Sequence, residues 1–102
     1  MTRTQTFNKR TLRIEGTQIL TVESFIFPIE NNASGSVINI NWEAYPVGDQ
    51  TRRAPVTLAY KKIDDYMVGG KPAKKVEAAF YNLSGETADL TVNVVHENWF
   101  NS

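Results

Sequence analysis

Few residues in this chain have the types and spacing that chemistry needs. There is one histidine, His96. With Glu97 or another carboxylate beside it, it could act as a general base. The sequence carries no nucleophile elbow of the GxSxG kind to complete a triad. His96 is therefore read first as a strand-end residue that packs and hydrogen-bonds. Asp64 and Asp65 form the single acidic pair. Neighbours on a strand point to opposite faces, so they share a metal or a proton only if they sit in a turn. Calcium in a loop, with oxygens from Asp49 or Glu30, is the functional reading, and a solvated turn is the plain one. Gly69-Gly70-Lys71 lacks the spacing of a phosphate loop and reads as a turn. The chain has no cysteine, which excludes a thiolate metal site, a disulfide framework and a cysteine nucleophile. No enzyme and no cofactor is expected.

Binding chemistry has more to draw on. Asn39, Asn41 and Glu43 alternate along one side of a strand that runs into Tyr45. Amides, a carboxylate and an exposed ring are what a sugar-binding surface uses. Trp99 and Phe100 lie near the C-terminus, where burial is less assured. Aromatic residues and arginine are enriched in the cores of protein interfaces. Arg3, Lys9, Arg10 and Arg13 fall in the first thirteen residues with no acid among them, either as a solvated segment or as a basic arm that touches another subunit or nucleic acid. Over the whole chain eleven basic residues balance eleven acidic ones. No global field steers a polyanion, and a nucleic-acid partner is not expected. Asn32-Ala33-Ser34 and Asn82-Leu83-Ser84 match the glycosylation sequon, and both are read as turn chemistry.

The elements that hold these residues read as strands. Ala88, Leu90, Val92 and Val94 alternate with Asp89, Thr91 and Asn93. Val76, Ala78 and Phe80 alternate in the same way before them. This is the period of a strand with one face buried and one wet. With Ser84-Gly85-Glu86 between the arms, and Gly85 free to take positive φ, the stretch 76–96 is expected to be a hairpin. Asn32-Ala33-Ser34-Gly35 echoes Asn82-Leu83-Ser84-Gly85. That similarity is either an internal duplication or the recurrence of common turn residues.

Residues 37–45 form the next clearest strand, with Trp42 on its inward side. Residues 17–27 form another. Leu20 and Val22 share one parity and Phe25 and Phe27 the other, which places a bulge or bend near residues 23–25. Pro28 ends that strand or marks an edge. Residues 46–55 are rich in Pro, Gly and charge and read as a surface loop. Residues 56–68 are one long strand with a bulge, two short strands, or a strand and a helical turn. Residues 1–9 are expected as an extended polar arm. Lys74 and Lys75 are candidates for guarding a sheet edge.

No helical stripe runs for ten residues. A chain of 102 residues suits one domain and buries roughly 65% of its extended surface. The expected fold is all-β: a single antiparallel β-sandwich, Ig-like or jelly-roll-like, of six to seven strands, with a small β-barrel as the alternative. No apolar run reaches the length of a membrane span, and the N-terminal residues lack the apolar core of a signal peptide. The expected setting is cytoplasmic or within an assembled particle. The expected function is a non-enzymatic interaction or structural module that forms a homo-oligomer or docks on a protein partner through surface aromatics and terminal arms. A lectin-like carbohydrate-binding domain is the alternative.

Overall fold

Two three-stranded antiparallel sheets face each other in the computed structural model, which describes residues 2–101. In chain order the strands are β1 (Thr2–Ile14), β2 (Ile19–Pro28), β3 (Gly35–Pro46), β4 (Val56–Val68), β5 (Lys71–Asn82) and β6 (Ala88–Phe100). One sheet has the order β1-β6-β3, and the other β2-β5-β4. The described residues contain no helix, and the sheets do not close into a barrel. The fold is a β-sandwich, as the alternation implies.

The two cleanest alternating strands, β5 and β6, are the central strands of the two sheets. The core follows their inward faces. Ala88, Leu90, Val92 and Val94 of β6 meet Val76, Ala78 and Phe80 of β5, and Ile14, Val22, Phe25, Phe27 and Ala44 close around them. Phe80, Leu90 and Phe25 are fully buried.

The bend expected near residues 23–25 is a bulge. Val22 pairs with Ala78 and Phe25 with Val76, so two residues of β2 oppose one of β5. Ser24 sits there at φ 66°. Residues 56–68 resolve into the first of their three readings, one long strand with a register shift between Leu58 and Tyr60.

Two expectations are corrected. Residues 76–96 are not a hairpin: β5 and β6 lie in different sheets, and the intervening residues arch across the sandwich. The chain turns there without positive φ at Gly85. Asn82 organises it instead. Its buried amide donates to the carbonyls of Glu15 (3.2 Å) and Glu86 (2.8 Å) and accepts from the Ser84 backbone N–H (3.0 Å) and hydroxyl (2.8 Å). The hairpin is β4–β5, turned by Gly69 and Gly70 at φ 55° and 78°. Positive φ at both central residues is the signature of a two-residue hairpin turn that matches strand twist. Secondly, residues 2–9 are not an arm. They form most of β1, paired with β6 from Thr2 opposite Phe100 onward.

Candidate functional site

In antiparallel pairing, residues directly opposite each other put their side chains on the same face. The register of β1, β6 and β3 therefore lays out the outer face of their sheet as rows. Lys9, Asn93 and Asn41 form one row, Thr11, Thr91 and Glu43 the next, and Arg13, Asp89 and Tyr45 the third. On the other side of the central row lie Phe7, Val95 and Asn39. The fold thus gathers Asn39, Asn41, Glu43 and Tyr45 with Lys9 and Arg13 on one face, although they come from separate strands.

An open cleft of about 360 Å³ lies over the centre of this face, lined by Lys9, Asn41, Trp42, Glu43, Arg53, Thr91 and Asn93. Arg53 comes from the loop between β3 and β4. Its guanidinium lies 3.6 Å from the Glu43 carboxylate and 5.4 Å from the centre of the Tyr45 ring. The Thr11 and Thr91 hydroxyls are 3.3 Å apart. The Asn93 side-chain oxygen is buried without a hydrogen-bond partner. Amides, hydroxyls, one ammonium and a guanidinium–carboxylate pair can bind a hydroxyl-rich or mixed-charge ligand. Arg53 and Asn93 were not singled out from sequence. The parity of β6 places Asn93 on the wet face beside Thr91, but nothing local to residue 53 brings it to β3.

The other candidate residues are dispersed. Arg3 pairs with the largely covered Glu97 (3.5 Å), and Arg13 with Asp89 (3.3 Å) in the open. Arg10 lies on the inner side of β1. It donates to the carbonyls of Glu23 (2.6 Å) and Ser24 (2.9 Å) at the β2 bulge, with its guanidinium 4.0 Å from the centre of the Phe25 ring. It closes the seam between the sheets. Trp99 lies over Gly35, where a Cβ would collide with its indole, and Phe100 pairs with Thr2 at the end of β6. Trp42 faces inward, edge-on to Phe80 at 5.7 Å, yet keeps 36% of its surface because β3 is an edge strand.

His96 continues the inward face of β6 and is 1% exposed. Neither ring nitrogen has a hydrogen-bond partner. The Phe27 ring lies 5.4 Å away. Burial pushes its pKa below the ordinary value; the Glu30 carboxylate opposes that shift and the Lys74 ammonium adds to it. Glu97 points to the opposite face, where it accepts from Gln5 (2.7 Å), so it does not serve His96. Among the described residues no cluster of three His, Cys, Asp or Glu side chains could hold a metal ion.

A second surface has different chemistry. From Ala59 to Val68, every residue of β4 is exposed, whichever way it points. Tyr60, Ile63, Tyr66, Met67 and Val68 are among the exposed large hydrophobic side chains, Met67 the most so at 59%. Between them run Lys61, Lys62, Asp64 and Asp65. Asp65 pairs with Lys74, Tyr60 donates its hydroxyl to Glu77, and the Lys75 ammonium lies 5.2 Å from the centre of the Tyr66 ring. The Asp64-Asp65 pair is thus on a strand, not in a turn.

Comparison with family models, curated proteins and solved structures returns no match. No helix of the described residues is long and apolar enough to cross a membrane.

Proposed function

We propose that this chain is a non-enzymatic structural module that self-associates through a sheet edge. One observation carries this reading: the outer half of β4 is an edge strand, paired on one side alone, exposed on both faces and rich in large apolar side chains. A long exposed edge offers a row of free N–H and C=O groups to another chain. Clustered surface apolar groups mark contact sites. Both features meet on one strand. Light scattering after size exclusion, at two well-separated concentrations, tests it. The expected result is a mass above the 11.5 kDa of one chain that rises with concentration. A monomer at both concentrations overturns the reading.

The cleft on the outer face of the β1-β6-β3 sheet supports a second reading, a carbohydrate-binding domain. Asn41, Asn93 and Glu43 would bond sugar hydroxyls, with Tyr45 and Arg53 at the rim. A glycan screen tests it. Binding should be lost in Asn41→Ala and Tyr45→Ala with the fold retained, and the absence of any bound glycan counts against it.

A further inference from the structure

The outer half of β4 reads Tyr60-Lys61-Lys62-Ile63-Asp64-Asp65-Tyr66. Read backwards from Ile63, each residue meets its complement. Tyr60 answers Tyr66, Lys61 answers Asp65 and Lys62 answers Asp64. We infer that β4 pairs antiparallel with β4 of a second copy about a two-fold axis at Ile63, joining two β2-β5-β4 sheets into one continuous six-stranded sheet. The inference rests on the self-association proposed above and names its partner and register.

Three observations carry it. The first is charge. About that axis all four Lys–Asp contacts are favourable, two on each face of the joined sheet. Opposite charges directly across a strand pair stabilise it, and like charges oppose it. An interface built on a two-fold must be self-complementary in this way. The second is register. A residue can pair across this edge only with one whose amide and carbonyl also point out of it, so the pairing slides in steps of two. One such slide sets Lys62 against its own copy, and the opposite slide sets Asp64 against its own copy. Parallel alignment stacks lysine on lysine and aspartate on aspartate. The charges that guard this edge against random pairing therefore admit one arrangement and repel its neighbours. The third is access. β4 is the edge strand of its sheet and residues 59–68 are exposed on both faces, so none of the described residues of the same chain lies where the second copy would sit. The pairing ends at the register shift between Leu58 and Tyr60, where β4 passes back over the core. The self-complementary stretch, residues 60–66, lies within the free length and begins at that shift.

The test uses two charge-reversed variants and one cross-link. Lys61→Glu with Lys62→Glu makes the edge wholly acidic, and Asp64→Lys with Asp65→Lys makes it wholly basic. Each alone should bind itself at least tenfold more weakly than the parent and elute as a monomer where the parent elutes as a dimer. Mixed in equal amounts they should recover the dimer mass, since every opposed pair is again Lys with an acid. That recovery also shows that both variants are folded. In a chain without cysteine, Ile63→Cys places two sulfurs across the axis, where opposed Cα atoms are roughly 4.5–5.5 Å apart, within reach of a disulfide. Mild oxidation should give a covalent dimer, while Lys61→Cys, four residues out of register with itself, should not. A parent that is monomeric at every concentration overturns both this inference and the self-association reading. An oligomer that survives in both charge variants, with no cross-link at residue 63, overturns the β4 pairing and leaves self-association through another surface standing.

Discussion

His96 sits between the sheets with two ring nitrogens that bond to nothing. A buried imidazole in that state is uncharged, and its pKa lies below the ordinary value because burial disfavours the cation. The unfolded chain accordingly takes up a proton at pH values where the folded chain does not. The stability this group contributes is complete above the unfolded value, near 6.5, and is lost as pH falls from there toward the folded value. His96→Leu removes that dependence at similar volume. Melting temperature should fall less between about pH 7.5 and about pH 5.5 in the variant than in the parent, and an equal fall in both would refute the assignment. Asn82 is the opposite case, a buried polar group with every atom engaged. Asn82→Ala strips partners from carbonyls of the β1–β2 turn and from the β5–β6 arch together. Unmet buried groups cost about 1–3 kcal/mol each, so a loss of about 3 kcal/mol is expected in urea unfolding. A loss within about 0.5 kcal/mol, the usual surface effect, would show that the hub is dispensable. Its engaged amide also leaves no room for a glycan at the Asn82 sequon.

Elements explain what could and could not be read from the residues. Alternation records which side of a strand is dry, so β6, the inner half of β3 and the parity switch at the β2 bulge were all legible. It does not record which strand supplies the hydrogen bonds. That is why β5 and β6, alternating strands a few residues apart, read as a hairpin although each pairs within its own sheet. The N-terminal part of β1 reads as an arm for another reason. Toward its N-terminus the inner face carries Thr4, Thr6, Asn8 and Arg10, so a true strand has no apolar period there, and only its pairing with β6 reveals it. The outer-face residues of β3 could be proposed as a patch, but Lys9 and Asn93 join them only through register. The hairpin that does exist turns on Gly69 and Gly70, both at positive φ with open space where a Cβ would lie. A substitution there is penalised by backbone conformation alone. Gly70→Val should cost about 1–2 kcal/mol, whereas Gly85→Ala, in equally open space without positive φ, should be close to neutral. Equal costs in denaturant titration would rule out this account of the turn.

The whole molecule is long and lopsided, measuring 49 × 26 × 18 Å. Its packed core lies between the central strands, while the outer half of β4 runs on as a ribbon held chiefly by β5. The two regions should respond differently to the loss of apolar volume. Phe80 is fully buried and meets Trp42 across the sheets. Phe80→Ala leaves a cavity at the centre and should cost about 3–5 kcal/mol. That is a large part of the roughly 5–15 kcal/mol that holds a domain together, and it should lower the unfolding midpoint of the entire chain in one transition. Met67 removes little surface from water in the single chain. Met67→Ala should change the unfolding free energy of dilute protein by no more than about 0.5 kcal/mol. Exposed apolar groups do not help a lone sandwich to fold, and they leave an edge open to pairing with other chains. If Met67→Ala destabilises dilute protein as much as Phe80→Ala does, the β4 ribbon belongs to the core. If it leaves dilute protein unchanged while weakening association, the ribbon's side chains act outside the fold, on the edge where we propose the second copy sits.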